Sequence, residues 1–319
     1  MHGDQAGVAE VLPPLPLAAW WPTKVTLHLY CQIMGQIRLA ATAPHDHWSN
    51  VPLFLTIRGL TTRRMRYGGL GFAIDFDFLD HRLVVRTDAG STESLALHDG
   101  LSVKDFHEAL LGLLDRSGVH LTIGGKPLEV PVTTPFAEDT GHSSYDEALV
   151  GRFWRVLSWT DAVFEEFEAW FSGKTSPARL FWHSMDLAIT RYSGRHAPQR
   201  SRTDPVTVES FTHEMIGFGL SPGDDRKPEA SFYSCTQPEP PDLTLQPLCP
   251  QQARWIPFCD GTHRAILAWE DVRTSADPRR TLLTFLQSAY EAGGITAGWQ
   301  MADFESTYFP AHARNPRCP

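Results

Sequence analysis

The sequence predicts an α+β fold, internally duplicated, in which two mainly antiparallel β-sheet-plus-helix halves are joined by a long amphipathic helix. Three observations predict it. Strand-like segments come in groups, with helices set apart from them, rather than in strict β-α alternation. The segment from Asp146 to Phe171 places Leu149, Phe153, Leu157, Phe164, Phe167 and Phe171 on one broad apolar face, as a helix packed on two layers requires. The second half also repeats the first at a constant offset of 172, pairing Leu95, Ala96 and Asp99 with Leu267, Ala268 and Asp271, and Leu110, Leu111 and Leu114 with Leu282, Leu283 and Leu286. The expected division is a tail over 1–21, a first half over 22–145, the linking helix over 146–173, a second half over 174–300 and a tail over 301–319.

Composition narrows the function classes. The 319 residues are 42% hydrophobic and 20% charged, with a net charge of −9 and no run of Lys or Arg, which argues against nucleic acid or an anionic membrane surface as partner. No apolar run reaches the ~18 residues of a membrane span. The first 22 residues lack the basic start and unbroken apolar core of a signal peptide, since Pro13, Pro14 and Pro16 interrupt them. Five cysteines with no C-x-x-C pair argue against a disulfide framework or a structural zinc site and favour a reducing cytoplasm. Small molecules or other proteins are the partner classes that remain; cofactor and oligomeric state are unspecified.

From Pro22 the pattern is helical, with Thr23 as N-cap and Val25, Leu29, Ile33, Ile37 and Ala40 at helical spacing. On a neighbouring face His28, Gln32, Gly35 and Gln36 follow at i, i+4, i+7 and i+8, which suits either solvent or the wall of a site. His45 and His47 form an H-x-H pair that, if extended, points both imidazoles one way. A strand is expected over Val51 to Thr61, then strands Phe72 to Phe78, Arg82 to Thr87 and Glu93 to His98. Asp75 and Asp77 share a strand face, where they either do acid/base or metal work or simply meet solvent. A helix follows with Ser102 as N-cap, Asp105 completing a capping box and Gly118 beyond its end. A strand over His120 to Ile123 leads to a crossing punctuated by Pro127, Pro131 and Pro135, and the linking helix then ends at Gly173 as C-cap.

The longest alternation in the chain is Arg179 to Arg195, read as one strand. Period two puts Phe181, His183, Met185, Leu187, Ile189 and Arg191 on one face and Leu180, Trp182, Ser184, Asp186, Ala188, Thr190 and Tyr192 on the other. Each mostly apolar face carries an ionisable group, which must be satisfied internally or open onto a pocket. Strands over Thr212 to Leu220 and Glu229 to Thr236 follow. A proline-rich loop over Gln237 to Pro250 precedes a strand over Arg264 to Trp269 and a helix over Pro278 to Ala292, capped by Asp277 with Pro278 at N1.

The segments TLHLYCQIMGQIRLA, HWSNVPLFLTIRGLTT, IDFDFLDHRL, PFAEDTGHSSYD, SMDLAITRYSGR, EDVRTSADPRRTLLTFLQSAYEA and AGW, in this order, resemble the DUF5996 family. The resemblance covers nearly the whole chain after Trp20 and implies a bacterial soluble protein of unassigned function, with no catalytic residues to transfer. His28, Gln32, His47, Trp48, Arg58, Asp75, Asp77, Asp186 and Arg191 match family motif positions. His45, His183 and Cys235 depart from them, which weakens the H-x-H pair as a metal site and His183 as a shared catalytic group.

The leading expectation is a small-molecule enzyme with a pocket between the halves. His28, His47 and Asp186 are its catalytic candidates, a histidine being the general acid/base. Gln32, Trp48, Arg58 and Arg191 are its substrate-binding candidates, an arginine holding an anionic group bidentately. One alternative is a metal or haem site drawing on His28 and His47, with Asp75, Asp77 or His213. The other is a non-catalytic ligand-binding or interaction protein whose buried polar groups satisfy one another.

Overall fold

The computed structural model describes residues 11–198, 205–258 and 260–307. It is α+β, with helices packed on two six-stranded antiparallel sheets.

The first helix, α1 (Leu17–Ala41), starts before Pro22, so the tail expected over 1–21 is partly helix. Pro22 lies inside the helix, where it lacks the N–H that would otherwise reach the Ala18 carbonyl four residues back. Leu12, Leu15, Leu17 and Trp20 are buried, and the Pro13 carbonyl accepts from Trp269 Nε1 at 3.0 Å, so this leader is part of the core.

The first sheet contains β1 (Phe54–Leu55), β2 (Gly59–Thr61), β3 (Met65–Tyr67), β4 (Leu70–Asp77), β5 (Arg82–Thr87) and β6 (Thr92–Ala96). Its order is β1-β2-β4-β5-β6, with β3 also pairing β4. The strand expected over Val51 to Thr61 is instead a hairpin, because Thr56 N–H donates to the Gly59 carbonyl at 2.8 Å and turns the chain back. Phe72, Ile74, Phe76 and Phe78 face the core, as their alternation predicts. α2 (Val103–Arg116) has the expected capping box: Asp105 N–H donates to Ser102 Oγ at 3.1 Å, and that hydroxyl donates to Asp105 Oδ2 at 2.7 Å. Residues 120–123 are not a strand.

α3 (Glu147–Ala169) is capped by Asp146 and ends at Trp170, short of Gly173. The second sheet contains β7 (Thr175–Phe181), β8 (Asp186–His196), β9 (His213–Ser221), β10 (Ser231–Gln237), β11 (Arg254–Pro257) and β12 (His263–Ala268), in the order β11-β12-β10-β9-β8-β7. Short helices α4 (Pro205–Ser210) and α5 (Trp269–Arg273) precede β9 and follow β12. α6 (Pro278–Thr296) begins with Asp277 as cap and Pro278 in its first turn.

Arg179 to Arg195 is two strands, not one. Ser184 and Met185 N–H both turn back to the Phe181 carbonyl, at 3.2 and 2.7 Å, and Met185 takes φ 65. This turn resets the alternation: Leu180 lies opposite Leu187 on the core face, while Arg179 lies opposite Ala188 and Phe181 opposite Asp186 on the outer face. At offset 172 the repeated leucines and alanines fall on β6 and β12 and on α2 and α6, whereas Asp99 lies in a turn and Asp271 in α5. The caps do not correspond, since Ser102 caps α2 whereas Asp277, the counterpart of Asp105, caps α6.

Two features join the halves. Leu53 and Leu180 form an isolated antiparallel bridge, N–H to carbonyl at 2.9 and 2.8 Å, which couples the β1 end of one sheet to the β7 edge of the other. Above it, the 182–185 turn docks on α1. The Trp182 indole lies so close to Gly35 that a Cβ there would sit 2.3 Å from the ring, and Trp182 Nε1 donates to the Val51 carbonyl at 3.0 Å.

Cys31 and Cys235 are free thiols, but Cys249 is disulfide-bonded. The expectation of uniformly reduced cysteines therefore fails, and their pattern no longer argues for a reducing compartment. No helix among the described residues is long and apolar enough to cross a membrane.

Gly35→Ala is expected to destabilise the protein by about 2–3 kcal/mol in urea unfolding, because the added methyl overlaps a fixed indole rather than a flexible chain end. A change below about 0.5 kcal/mol would show that the Trp182 contact is not tight in solution.

Candidate functional site

The predicted site residues do not meet in one place. On α1 they form a docking face. Buried His28 holds its Nε2 2.9 Å from the Trp182 carbonyl and 3.2 Å from that of His183, so Nε2–H is a donor. Desolvation, with the Lys24 charge adding to it, lowers its pKa to about 3, which leaves a neutral ring unsuited to acid/base exchange near neutrality. Gln32 binds the Leu128 backbone reciprocally, donating to its carbonyl at 2.8 Å and accepting its N–H at 3.0 Å. Gln36 donates to the Lys126 carbonyl at 2.8 Å beside a cavity of about 590 Å³ that Leu39, Gly124 and Leu128 also line.

Arg58 is half-exposed and paired with Asp77 and Asp80 at 2.7 and 2.8 Å, tying two turns of the first sheet together. Asp75 pairs with Arg86, so the Asp75/Asp77 face is an ion-paired surface. Arg191 is 1% exposed on the core face of β8. Its guanidinium donates to the Phe167 carbonyl and lies 3.6 Å from the Phe167 ring, 4.4 Å from Tyr290 and 5.0 Å from Phe171. The two arginines expected to hold substrate are therefore structural.

Asp186 occupies a separate cluster on the outer face of the second sheet. Desolvation raises its pKa to about 6, against Ser221 and Tyr233, which direct hydrogen bonds at it, and the charges of Arg264 and Lys24. Tyr233 reaches across β9 because Gly219 lies beneath it; a Cβ there would be 2.5 Å from the phenol. Lys24 is 4% exposed, and burial lowers its pKa.

The joint between the sheets brings together a different set. Continuing the Leu53–Leu180 bridge by one residue sets Phe54 opposite Arg179, so both lie on one side. The Phe54 ring carries Arg63 at 3.4 Å on one contact and Arg38, from the last turn of α1, at 5.2 Å on another. Arg38 donates to the Thr62 carbonyl, and its pKa is lowered to about 10 by desolvation and then by Arg63. Arg179 is 4% exposed; desolvation lowers its pKa, Tyr192 favours its charge and Arg63 opposes it. The Nε groups of Arg38 and Arg179 are buried without a hydrogen-bond partner among the described residues. Glu168 acts on Arg179 from α3 but makes no salt bridge with it, and burial raises the Glu168 pKa to about 7. Among the described residues no carboxylate forms a salt bridge with any of these three arginines.

His47 adjoins this cluster through Tyr192, whose ring lies 4.6 Å from the imidazole. Its Nδ1 lies 3.2 Å from the Ser210 carbonyl, which fixes the proton there and leaves Nε2 as a lone pair, buried without a partner. Desolvation lowers the His47 pKa despite that hydrogen bond. His213 stands 5.3 Å from His47 and 4.4 Å from His196, while Lys174 lies 5.1 Å from the Tyr192 ring. His45 is exposed whereas His47 is buried, so the H-x-H pair does not converge. No group of three or more His, Cys, Asp or Glu side chains could hold a metal ion among the described residues. His47, Trp48 and Arg63 all have positive φ, at 55, 52 and 55. Such backbones cost of order 1–3 kcal/mol and persist where the surroundings impose them.

Sequence reasoning missed Arg38, Arg63, Arg179, Tyr192 and Lys24. Arg38 and Lys24 carried one usable signal, since they are the only Lys or Arg of a long helix that holds no Asp or Glu.

A two-sheet α+β protein with a guanidinium cluster at the joint is the class this fold and site define. The chain belongs to the family described as "Family of unknown function (DUF5996)", whose sequence model matches residues 12–306 of 319. No curated protein and no solved structure matches it.

Two expected outcomes test these environments. Arg63→Gly relieves a left-handed backbone and a like-charge contact, so it should raise stability by about 0.5–1 kcal/mol in chemical denaturation; an equal loss would mean that its contact with Phe54 outweighs both. For His28, the unfolded chain binds a proton below pH 6.5 that the folded chain refuses until about pH 3. Its stabilising contribution is thus intact above pH ~6.5 and falls by up to ~1.4 kcal/mol per unit as the pH drops. Asp186 works oppositely, since its raised pKa favours the fold as pH falls from about 6 to 3.8. His28→Gln keeps an N–H donor but cannot titrate, so its urea midpoint should drop less than the wild type's between pH 7 and pH 5.

Proposed function

We propose that this protein is a bacterial small-molecule enzyme whose ligand presents an anionic group to Arg38, Arg63 and Arg179 at the joint between the sheets. The observation that carries this reading is that Arg38 and Arg63 both lie against the Phe54 ring, which the Leu53–Leu180 bridge sets opposite Arg179, and that none of the three forms a carboxylate salt bridge among the described residues of a chain of net charge −9. Two of them are more than nine-tenths buried, at 6% and 4% exposed. Buried cations are stable when paired, and an anionic ligand supplies the pairing that the described protein groups do not. In this proposal Tyr192 donates to the ligand beside Arg179, and the neutral His47 takes up a proton at Nε2 as general base. Trp48 walls the site next to His47. Asp186 is outside it, so the acid/base role falls to His47 rather than to His28 or Asp186.

Non-catalytic ligand binding is the second reading, favoured by one observation: His47 Nε2 is closed off from solvent in this conformation. A cytoplasmic place of action belongs to the same proposal; the free thiols of Cys31 and Cys235 support it, and the bonded Cys249 opposes it.

Native mass spectrometry of freshly purified protein tests the proposal. Wild-type chain should carry a small anionic adduct, and Arg179→Met, melting within a few degrees of wild type, should lack it. Adduct retained by a folded Arg179→Met protein would place the ligand elsewhere.

A further inference from the structure

We infer that the group held at the joint is a tetrahedral phosphoryl dianion, of a phosphomonoester or of phosphate itself, rather than a carboxylate. This rests on the reading of the joint as an anion site and concerns which anion it takes.

Charge is the first reason. Arg38, Arg63 and Arg179 come from three separate elements, and the electrostatic influences run Arg63 on Arg38 and Arg63 on Arg179, each unfavourable. A carboxylate would neutralise one of three cations, of which Arg63 repels the other two. A phosphomonoester carries about −1.5 to −2 near neutrality and offers three terminal oxygens. Geometry is the second reason. A planar carboxylate is matched by one bidentate guanidinium fork, whereas forks arriving from a helix, a loop and a strand suit acceptors pointing in several directions.

The third reason is that the cluster is held in place before any ligand arrives. The Phe54 face orients Arg63 at 3.4 Å and Arg38 at 5.2 Å. The Thr62 carbonyl anchors Arg38, and the Arg63 N–H donates to Thr61 Oγ1 at 2.9 Å, locking the left-handed turn that aims its side chain. Repulsive charges fixed against one another are an arrangement that folding alone does not favour, and it becomes favourable when one multivalent anion bridges them. The negative charge of the whole chain would repel a polyanion such as nucleic acid, so the expected ligand is small.

Phenyl phosphate and benzoate share a ring and differ in the anionic head, and inorganic phosphate carries the head alone. Each is titrated by calorimetry at constant ionic strength. Phenyl phosphate and phosphate should bind saturably, with benzoate at least about tenfold weaker. Arg63 is exposed, so Arg63→Gln should fold; it should weaken phenyl phosphate about ten- to hundredfold, as loss of a charge-assisted hydrogen bond implies. Arg58→Gln, which removes a surface arginine outside the cluster, should leave the affinity unchanged. Benzoate binding as tightly as phenyl phosphate, and weakened by Arg63→Gln, would overturn the phosphoryl assignment while leaving the anion site standing. If neither anion binds, or if Arg63→Gln changes neither affinity, the anion-site reading falls as well.

Discussion

The contact on which the rest of the structure depends is the seating of Trp182 against Gly35. A glycine in the middle of a buried helix gives up helix propensity, and here the missing side chain lets an indole lie against the backbone of α1. Around it, His28 Nε2–H donates to the Trp182 and His183 carbonyls and Trp182 Nε1 donates to the Val51 carbonyl. One side chain thus fixes α1, the start of β1 and the β7–β8 turn relative to each other. The Leu53–Leu180 bridge, and with it the approach of Phe54 to Arg179, follows from that registration. Misplacing this turn would separate the arginines before any of them was altered.

Electrostatics at the joint run against stability. Burial disfavours the charges of Arg38 and Arg179, and Arg63 adds repulsion to both. By contrast Arg191, equally buried, is ringed by aromatic faces and bonded to a backbone carbonyl, which stabilises its charge within the core. The two environments sit on opposite sides of one sheet. One guanidinium is held by aromatic rings and a backbone carbonyl, and the others are oriented by the protein without a carboxylate salt bridge among the described residues.

Much of the fold was legible in the chain. Caps at Ser102 and Asp277, the aromatic alternation of Phe72 to Phe78 and the long apolar face of α3 are local signals, and local physics decides them. The break inside Arg179 to Arg195 was not legible, because Trp182 to Met185 continue the alternation through a turn that contains neither Gly nor Pro. The candidate site was legible only in part. His47 and the idea of an arginine-held anion at the seam came from residue types, but Arg58 and Arg191 lie away from the joint, one on the surface and one in the core. Arg58 finds its partners across two turns and Arg191 finds aromatic rings across the core, and neither fact is written within a few residues of either. Arg63 joins the cluster through a left-handed backbone that its neighbours in sequence do not announce. On α1, the His28, Gln32, Gly35 and Gln36 face is not solvated but is a surface on which two loops dock.

The bridge between Leu53 and Leu180 also bears on how the chain behaves beside copies of itself. Two separate six-stranded sheets would present four open borders, each a row of unpaired amides able to recruit a neighbouring strand. Because β1 meets β7, those two borders shield one another, leaving β6, β11 and the three-residue β3 as outer strands. β6 carries Glu93 paired with Arg116, while β11 is short and ends in Pro257, which has no N–H to offer. The same joint that assembles the arginines therefore also limits the routes to edge-to-edge aggregation.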